Sequence, residues 1–208
     1  MATDNLGLVH VYTGNGKGKT SASMGLATRA VGQGLRVYII QFMKGGAYTG
    51  ELISAKNFLP HISFEQFGKH CIKEEKQMKL LGLDLGYHYF DFVRDDISCG
   101  ECRFCFVNDD EQAKFCREGF ERAQKLSKSD DIDLLILDEV LVAVAFKYVD
   151  EEKLVQLIKE KRPHIELVLS GRGASTRIIE LADYVSNIQE VKHPFNTKKI
   201  AARRGIEY

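Results

Sequence analysis

The chain has 208 residues, carries 29 Lys+Arg against 29 Asp+Glu, and is 44% hydrophobic. That length predicts one domain, residues 1–208, burying roughly 70% of the surface exposed by the unfolded chain, enough for a core without staples. Zero net charge excludes both a bulk basic field for nucleic acid and an acidic, disordered character, so any phosphate binding has to be local. The longest apolar run, Val140 to Phe146, has seven residues, whereas a membrane-spanning helix needs about 20. The start, Met1-Ala2-Thr3-Asp4-Asn5, lacks the basic-then-apolar pattern of a secretory signal. The expectation is a cytoplasmic protein that engages neither membrane nor nucleic acid. Five cysteines, three of them within seven residues, suit reduced thiols or metal ligands better than a disulfide framework.

In chain order, Leu6 to Tyr12 is a short β-prone segment that runs into a Gly-rich loop at Thr13 to Gly18. Ala22, Leu26, Ala27, Ala30 and Val31 then recur at helical spacing from about Lys19 until Gly32-Gln33-Gly34 ends the pattern. Arg36 to Met43 is nearly continuous apolar sequence of the kind buried on both faces of a sheet, which completes a βαβ unit. Further strands are expected at Asp133 to Leu137, Ile165 to Ser170 and Tyr184 to Ile188. Helices are expected near Asp110 to Ser127, Glu151 to Lys161 and Ser175 to Ala182. This alternation predicts an α/β fold with a mostly parallel β-sheet flanked by helices. The stretch from about 69 to 108 breaks the rhythm with Tyr87, Tyr89, Phe90, Phe92, Phe104, Phe106 and four cysteines, and reads as a Cys- and aromatic-rich insertion.

Thr13-Gly14-Asn15-Gly16-Lys17-Gly18-Lys19-Thr20, between a predicted strand and a predicted helix, has the context of a phosphate-binding loop. Glycines let successive N–H groups point inward, the helix N-terminus adds partial positive charge, and Lys19 can reach terminal phosphates while Thr20 offers a hydroxyl to Mg²⁺. The strict pattern has Gly where this chain has Thr13. Such a loop also needs an acid at the end of a neighbouring strand, and Leu134 to Leu137 ends in Asp138-Glu139. Gly171 and Gly173 flank Arg172, allowing it close approach to a phosphate or an equally ordinary salt bridge. The candidate nucleotide-binding residues are therefore Thr13, Gly14, Asn15, Gly16, Lys17, Gly18, Lys19, Thr20, Ser21 and Arg172.

Cys99, Cys102 and Cys105 have the Cys-x2-Cys-x2-Cys spacing that presents three thiolates to one centre, zinc ahead of an iron–sulfur cluster. The alternative is a set of reduced thiols in a loop. Cys71, His70, His88 and Cys116 are candidates for a fourth ligand, with Cys116 on a predicted helix where burial is the commoner fate. His193, in Lys-His-Pro-Phe, reads as a structural residue of a turn, and Lys198-Lys199 with Arg203-Arg204 as a solvated face.

Six segments in order, Val11 to Thr20, Gln41 to Gly45, Leu137 to Glu139, Ser170 to Gly173, Val191 to Phe195 and Arg204 to Tyr208, resemble the ATP:corrinoid adenosyltransferases of cobalamin biosynthesis and salvage. The similarity covers about residues 7–66 and 109–208, and a loop with Thr in place of the first Gly is part of that family's pattern. The resemblance implies a P-loop, RecA-like nucleotide-binding fold and a transferase that moves the 5′-deoxyadenosyl group of ATP onto the cobalt of a reduced corrinoid, leaving triphosphate. It implies a reversed grip in which Gly14 to Thr20 hold the triphosphate, Lys19 neutralises it, Thr20 and Glu139 serve Mg²⁺, and Arg172 contacts the nucleotide. Co(I) is a strong nucleophile, so no residue is assigned acid–base catalysis. The implied partners are ATP, a corrinoid, a corrinoid reductase or electron donor, and a second copy of the chain in a homodimer.

At two positions where relatives carry a Phe and a Trp that displace the lower axial base, an ungapped continuation places Cys71 and Lys73, and the chain has no Trp. Tyr89, Phe90 or Phe92 are the expected substitutes. Relatives' longer N-terminal arm is expected to be absent, because Val9 already lies in the first predicted strand. Two other readings stay open. One is a thymidine-kinase-like nucleoside kinase, in which, however, the zinc cysteines follow the Asp-Glu strand, whereas here they precede it. The other is a nucleotide-dependent switch ATPase.

Overall fold

The computed structural model describes residues 5–46, 48–72, 99, 102 and 104–208. Six strands form one all-parallel sheet: β1 (Val9–Thr13), β2 (Val37–Phe42), β3 (Ile62–Phe67), β4 (Leu134–Asp138), β5 (Glu166–Ser170) and β6 (Tyr184–Asn187). Seven helices are described around it: α1 (Lys19–Gly32), α2 (Gly50–Phe58), α3 (Asp110–Leu126), α4 (Val140–Ala145), α5 (Glu151–Glu160), α6 (Thr176–Glu180) and α7 (Pro194–Lys198). A 3₁₀ turn, Phe104–Phe106, precedes α3. The expected α/β architecture is present. None of the described helices is long and apolar enough to cross a membrane.

Alternation along the central strands divides the core in two. On β2 the side chains of Tyr38, Ile40 and Phe42 join Leu135, Leu137, Leu167 and Leu169 under α3 and α5, where Phe120, Leu154, Val155, Leu157 and Ile158 are buried. Val37, Ile39, Leu134, Ile136 and Val168 point the other way, towards Ala27 and Ala30 of α1 and Ala55 of α2. The period of two thus explains why the strands read as continuous apolar runs: both faces are covered.

Strand order is β3-β2-β4-β5-β1-β6. The chain leaves β1 through α1 and crosses over β5 and β4 to reach β2. All strands are parallel, so the C-terminal ends of β1, β5, β4, β2 and β3 lie side by side along one edge. Each ends an apolar run on a polar residue or has one next to its end: Thr13, Ser170, Asp138, Gln41 and Gln66.

Several elements were not evident from the sequence. The helix α2 has no strong apolar stripe, and β3 alternates only partly. The seven-residue apolar run is mainly the short buried helix α4, whose Val140, Leu141 and Ala143 are enclosed. The segment read as a turn at His193 instead starts α7: His193 Nδ1 accepts from the Phe195 N–H at 3.2 Å, and Pro194 occupies the first helical position, where its missing N–H costs nothing. Within 69–108 the described residues are 69–72, 99, 102 and 104–108, and Tyr87, His88, Tyr89, Phe90, Phe92 and Lys73 lie outside them.

Candidate nucleotide site

The loop between β1 and α1 is built by close approach. Gly14 has φ +97, and a Cβ there would fall 2.3 Å from Ile188 O and 2.4 Å from Asn187 Oδ1. Gly16 donates its N–H to Ile188 O at 2.8 Å, and Ile188 donates back to Thr13 O at 2.8 Å, so the loop is laced to the chain leaving β6. Thr13 itself is buried at the end of β1, where its hydroxyl accepts from the Ala174 N–H at 3.4 Å. The departure from the strict glycine pattern is therefore compatible with the turn, which falls on Gly14.

Lys19 is 6% exposed and donates to Gly14 O at 2.7 Å and Gly16 O at 2.8 Å, arching back over its own loop. Burial lowers its pKa; Glu139 and Asp138 oppose that shift and Arg172 adds to it. A cation held in this way is strengthened by any anion that enters the loop.

The row of strand ends meets at Asp138, which is 1% exposed. Its carboxylate accepts from Ser170 Oγ at 2.6 Å, Gln41 Nε2 at 2.9 Å and Thr20 Oγ1 at 3.0 Å, and Lys44 Nζ lies 3.6 Å away. Gln66 extends the row by donating to Gln41 Oε1 at 2.7 Å. Strand register makes this possible, since Gln41 is paired with both Asp138 and Gln66 across β2. Among the described residues no buried side-chain nitrogen or oxygen lacks a partner.

Glu139 points elsewhere. It sits at φ 62 as the N-cap of α4, and its N–H donates to Ser170 Oγ at 3.0 Å. This turn sends its carboxyl into a cavity of about 580 Å³ lined by Asn15 to Ser21, Lys44, Arg172 and the C-terminal residues 205–208. Burial, and then the neighbouring Asp138, raise the Glu139 pKa, while Lys44, Lys19 and Arg172 pull against the shift. Burial pulls Lys44 downward, but Asp138, Glu51 and Glu139 outweigh it and hold the ammonium above its ordinary pKa. A cavity of about 770 Å³ beside α3 and α4 is larger but is not lined by the loop.

Of the expected nucleotide-binding residues, Asn15, Gly16, Lys17, Gly18, Lys19, Thr20, Ser21 and Arg172 line the cavity together. Thr13 and Gly14 support it from below. Residues that the sequence reading did not assign to the site also face it: Lys44, Glu51, Glu190 and His193. The C-terminal turn closes one side, with Lys17 donating to Ile206 O at 3.2 Å and lying 3.4 Å from Glu207 Oε1. Glu207 is held low, at about 2, chiefly by its hydrogen bond from Arg203. The signal available for Lys44 was its place just after β2, at the same sheet edge as the loop.

The donor set suits Mg²⁺. A hydroxyl and a cavity-facing carboxylate are hard oxygen ligands, and Mg²⁺ ordinarily takes only one or two protein carboxylates beside phosphates and waters. Asp138 accepts the Thr20 hydroxyl hydrogen and so leaves that oxygen's lone pairs for a cation.

Comparison with known proteins adds to this geometry. The family model described as ATP:corrinoid adenosyltransferase BtuR/CobO/CobP matches residues 5–97 and 87–208, so the match includes the middle stretch. A corrinoid adenosyltransferase of Escherichia coli strain K12 is 34% identical over 210 residues, covering 100% of this chain and 89% of the relative. One from Sinorhizobium sp is 30% identical over 207 residues, covering 99% and 82%. A third, corrinoid adenosyltransferase CobA of Salmonella typhimurium, is 29% identical over 210 residues, covering 100% and 89%.

Proposed function

The chain belongs to the ATP:corrinoid adenosyltransferase family and is a transferase, and from that premise we propose that it attaches the 5′-deoxyadenosyl group of ATP to a corrinoid cobalt with intact triphosphate as the leaving group. The bond that breaks is C5′–O, and its electron pair leaves with the triphosphate. The bond that forms is Co–C, made by the electron pair of Co(I). Because the nucleophile brings its own electrons and no proton moves, the protein's work is to position C5′ and to stabilise the charge that departs.

The observation that carries this reading is the convergence of Lys19, Lys44 and Arg172 on one cavity with the Gly-rich loop and the Glu139 carboxyl. Three cations and a row of loop amides match a long polyanion better than a single transferred phosphoryl group. In this role Lys19 exchanges the loop carbonyls for phosphate oxygens, Arg172 binds from the β5 side, and Lys44 binds from the β2 side. Mg²⁺ would be held by Thr20 and Glu139, where it would neutralise phosphate charge. Asp138 positions Thr20 and Lys44 without facing the cavity.

The reading extends to a homodimer working in adenosylcobalamin synthesis or salvage with a reductase that supplies Co(I). The test is incubation with ATP and chemically reduced cobalamin. A light-sensitive adenosylated corrinoid is the expected product. Phosphoryl transfer to a nucleoside, or ATP hydrolysis without a corrinoid product, would contradict the proposal.

A further inference from the structure

Among the described residues, four glutamates line the nucleotide cavity: Glu51, Glu139, Glu190 and Glu207. Three of them answer to cations. Glu51 accepts from Gln41 Nε2 at 3.2 Å and lies 3.7 Å from Lys44 Nζ. Glu207 is bound by the Arg203 guanidinium and lies 3.4 Å from Lys17 Nζ. Glu139 is acted on by Lys44, Lys19 and Arg172. Glu190 differs. Its Oε1 accepts from a neutral amide, Asn196 Nδ2, at 2.7 Å, and among the described residues no ammonium or guanidinium pairs with it and nothing bonds its other oxygen. Asn196 belongs to α7, so the bond orients the carboxylate from the helix that follows it.

A carboxylate without a cation at the mouth of a polyanion site repels the phosphates that the loop attracts. It favours binding only where it meets a hydrogen-bond donor, because an ionised carboxylate can only accept. The phosphates of a nucleotide offer acceptors, whereas its ribose hydroxyls offer donors. Position favours the ribose over the base. Glu190 follows by two residues Ile188, whose carbonyl takes the Gly16 N–H at 2.8 Å. The backbone of the intervening Gln189 is so close that a Cβ on Gly16 would fall 2.7 Å from it. Glu190 is thus tethered to the margin of the phosphate loop, and the ribose is the part of a nucleotide joined directly to the phosphate chain. His193 lines the same cavity. Its Nδ1 is taken by the Phe195 N–H at 3.2 Å, so the neutral ring carries its proton on Nε2. One acceptor-only group and one N–H donor suit a vicinal diol, whose hydroxyls both donate and accept.

We propose that Glu190, oriented by Asn196, is a specificity-determining residue that accepts a hydrogen bond from a ribose hydroxyl and so selects ribonucleoside triphosphates over their deoxy counterparts. An acid on a ribose hydroxyl is also how dinucleotide-binding α/β folds read their ligand; here the acid comes from the chain leaving β6. The inference rests on the reading that ATP enters this cavity, but not on the corrinoid chemistry, since binding alone reads it out.

The experiment is calorimetric titration of the full chain, with Mg²⁺ present, using ATP, 2′,3′-dideoxy-ATP, inosine triphosphate and inorganic triphosphate. The native chain should bind ATP roughly tenfold more tightly than dideoxy-ATP, as one hydrogen bond to a charged group provides. Glu190→Ala should abolish that preference by weakening ATP, while its affinity for inorganic triphosphate holds or rises, because a negative charge has gone. Asn196→Ala should lower the preference to an intermediate value. Equal native affinity for ATP and dideoxy-ATP would overturn the proposal, as would a native preference that survives in Glu190→Ala. Inosine triphosphate lacks the purine amino group; if Glu190→Ala lost discrimination against it and kept the ribose preference, the carboxylate would belong to the base and the proposal would fall. Failure of the native chain to bind either ATP or triphosphate would instead bring down the nucleotide reading on which this one rests.

Discussion

The phosphate loop and the cysteine cluster lie along the same edge of the sheet but are built in different ways. The loop is one contiguous stretch, Thr13 to Thr20, in which strand, turn and helix each prescribe the next. Its chemistry comes mainly from backbone N–H groups and the helix N-terminus. The cysteines come from two places, Cys71 after β3 and Cys99, Cys102 and Cys105 before α3; Cys71 packs beside Cys99, and among the described residues no three His, Cys, Asp or Glu side chains are arranged to hold a metal ion. A backbone-built anion site tolerates side-chain change except where a Cβ would collide, as at Gly14, whereas a thiol cluster depends on every member.

The sharpest way to break this comparison is through Asp138, which serves the loop as a positioning residue. Asp138→Ala strips partners from Thr20, Gln41 and Ser170 and leaves the Lys44 ammonium without its nearest buried carboxylate. A loss of about 3–5 kcal/mol in unfolding free energy is expected, to be read by chemical denaturation, with ATP affinity falling alongside it. Lys19→Ala comes next: turnover should drop roughly 10²–10³-fold, as on removal of one group that stabilises transition-state charge. Steady-state kinetics check it.

The smallest expected effect is a pH dependence set by Glu139. Burial and Asp138 hold its pKa above the ordinary 4.5, so its neutral form persists to higher pH than in an exposed glutamate. In the proposed role Glu139 serves Mg²⁺ as a carboxylate, and affinity for Mg·ATP should then weaken as pH falls towards the raised value. The unliganded fold runs the other way. A raised carboxyl pKa contributes stability that is full below the ordinary value and lost as pH rises through the folded one. Glu139→Gln should flatten both profiles, as followed by calorimetric titration of Mg·ATP and by thermal unfolding across acid pH.

The two regions also differ in how legible they were in the sequence. Strand-loop-helix order identified Lys19 and Thr20, and a strand ending in two acids identified Asp138-Glu139. The division of labour between those acids was not visible. It follows from φ 62 at Glu139, which turns one carboxyl into the cavity while its neighbour stays among the strand ends. Lys44, Glu51 and the C-terminal turn reach the cavity only through strand order and chain folding, which local periodicity does not encode. The helices α2 and α4 were missed for a similar reason: one is weakly amphipathic, and the other is so buried that it has no polar face to mark its period. For the cysteines, spacing marked three members of a run, and the structure packs Cys71 beside Cys99 with Tyr48 and Ile53.

The central claim is that the loop edge holds a triphosphate that leaves whole. Phosphorus-31 analysis of a single turnover with ATP and chemically reduced cobalamin tests it most directly. The account predicts one intact inorganic triphosphate for each adenosylated corrinoid formed. Release of ADP with phosphate, or of AMP with pyrophosphate, in step with the adenosylated product would contradict it.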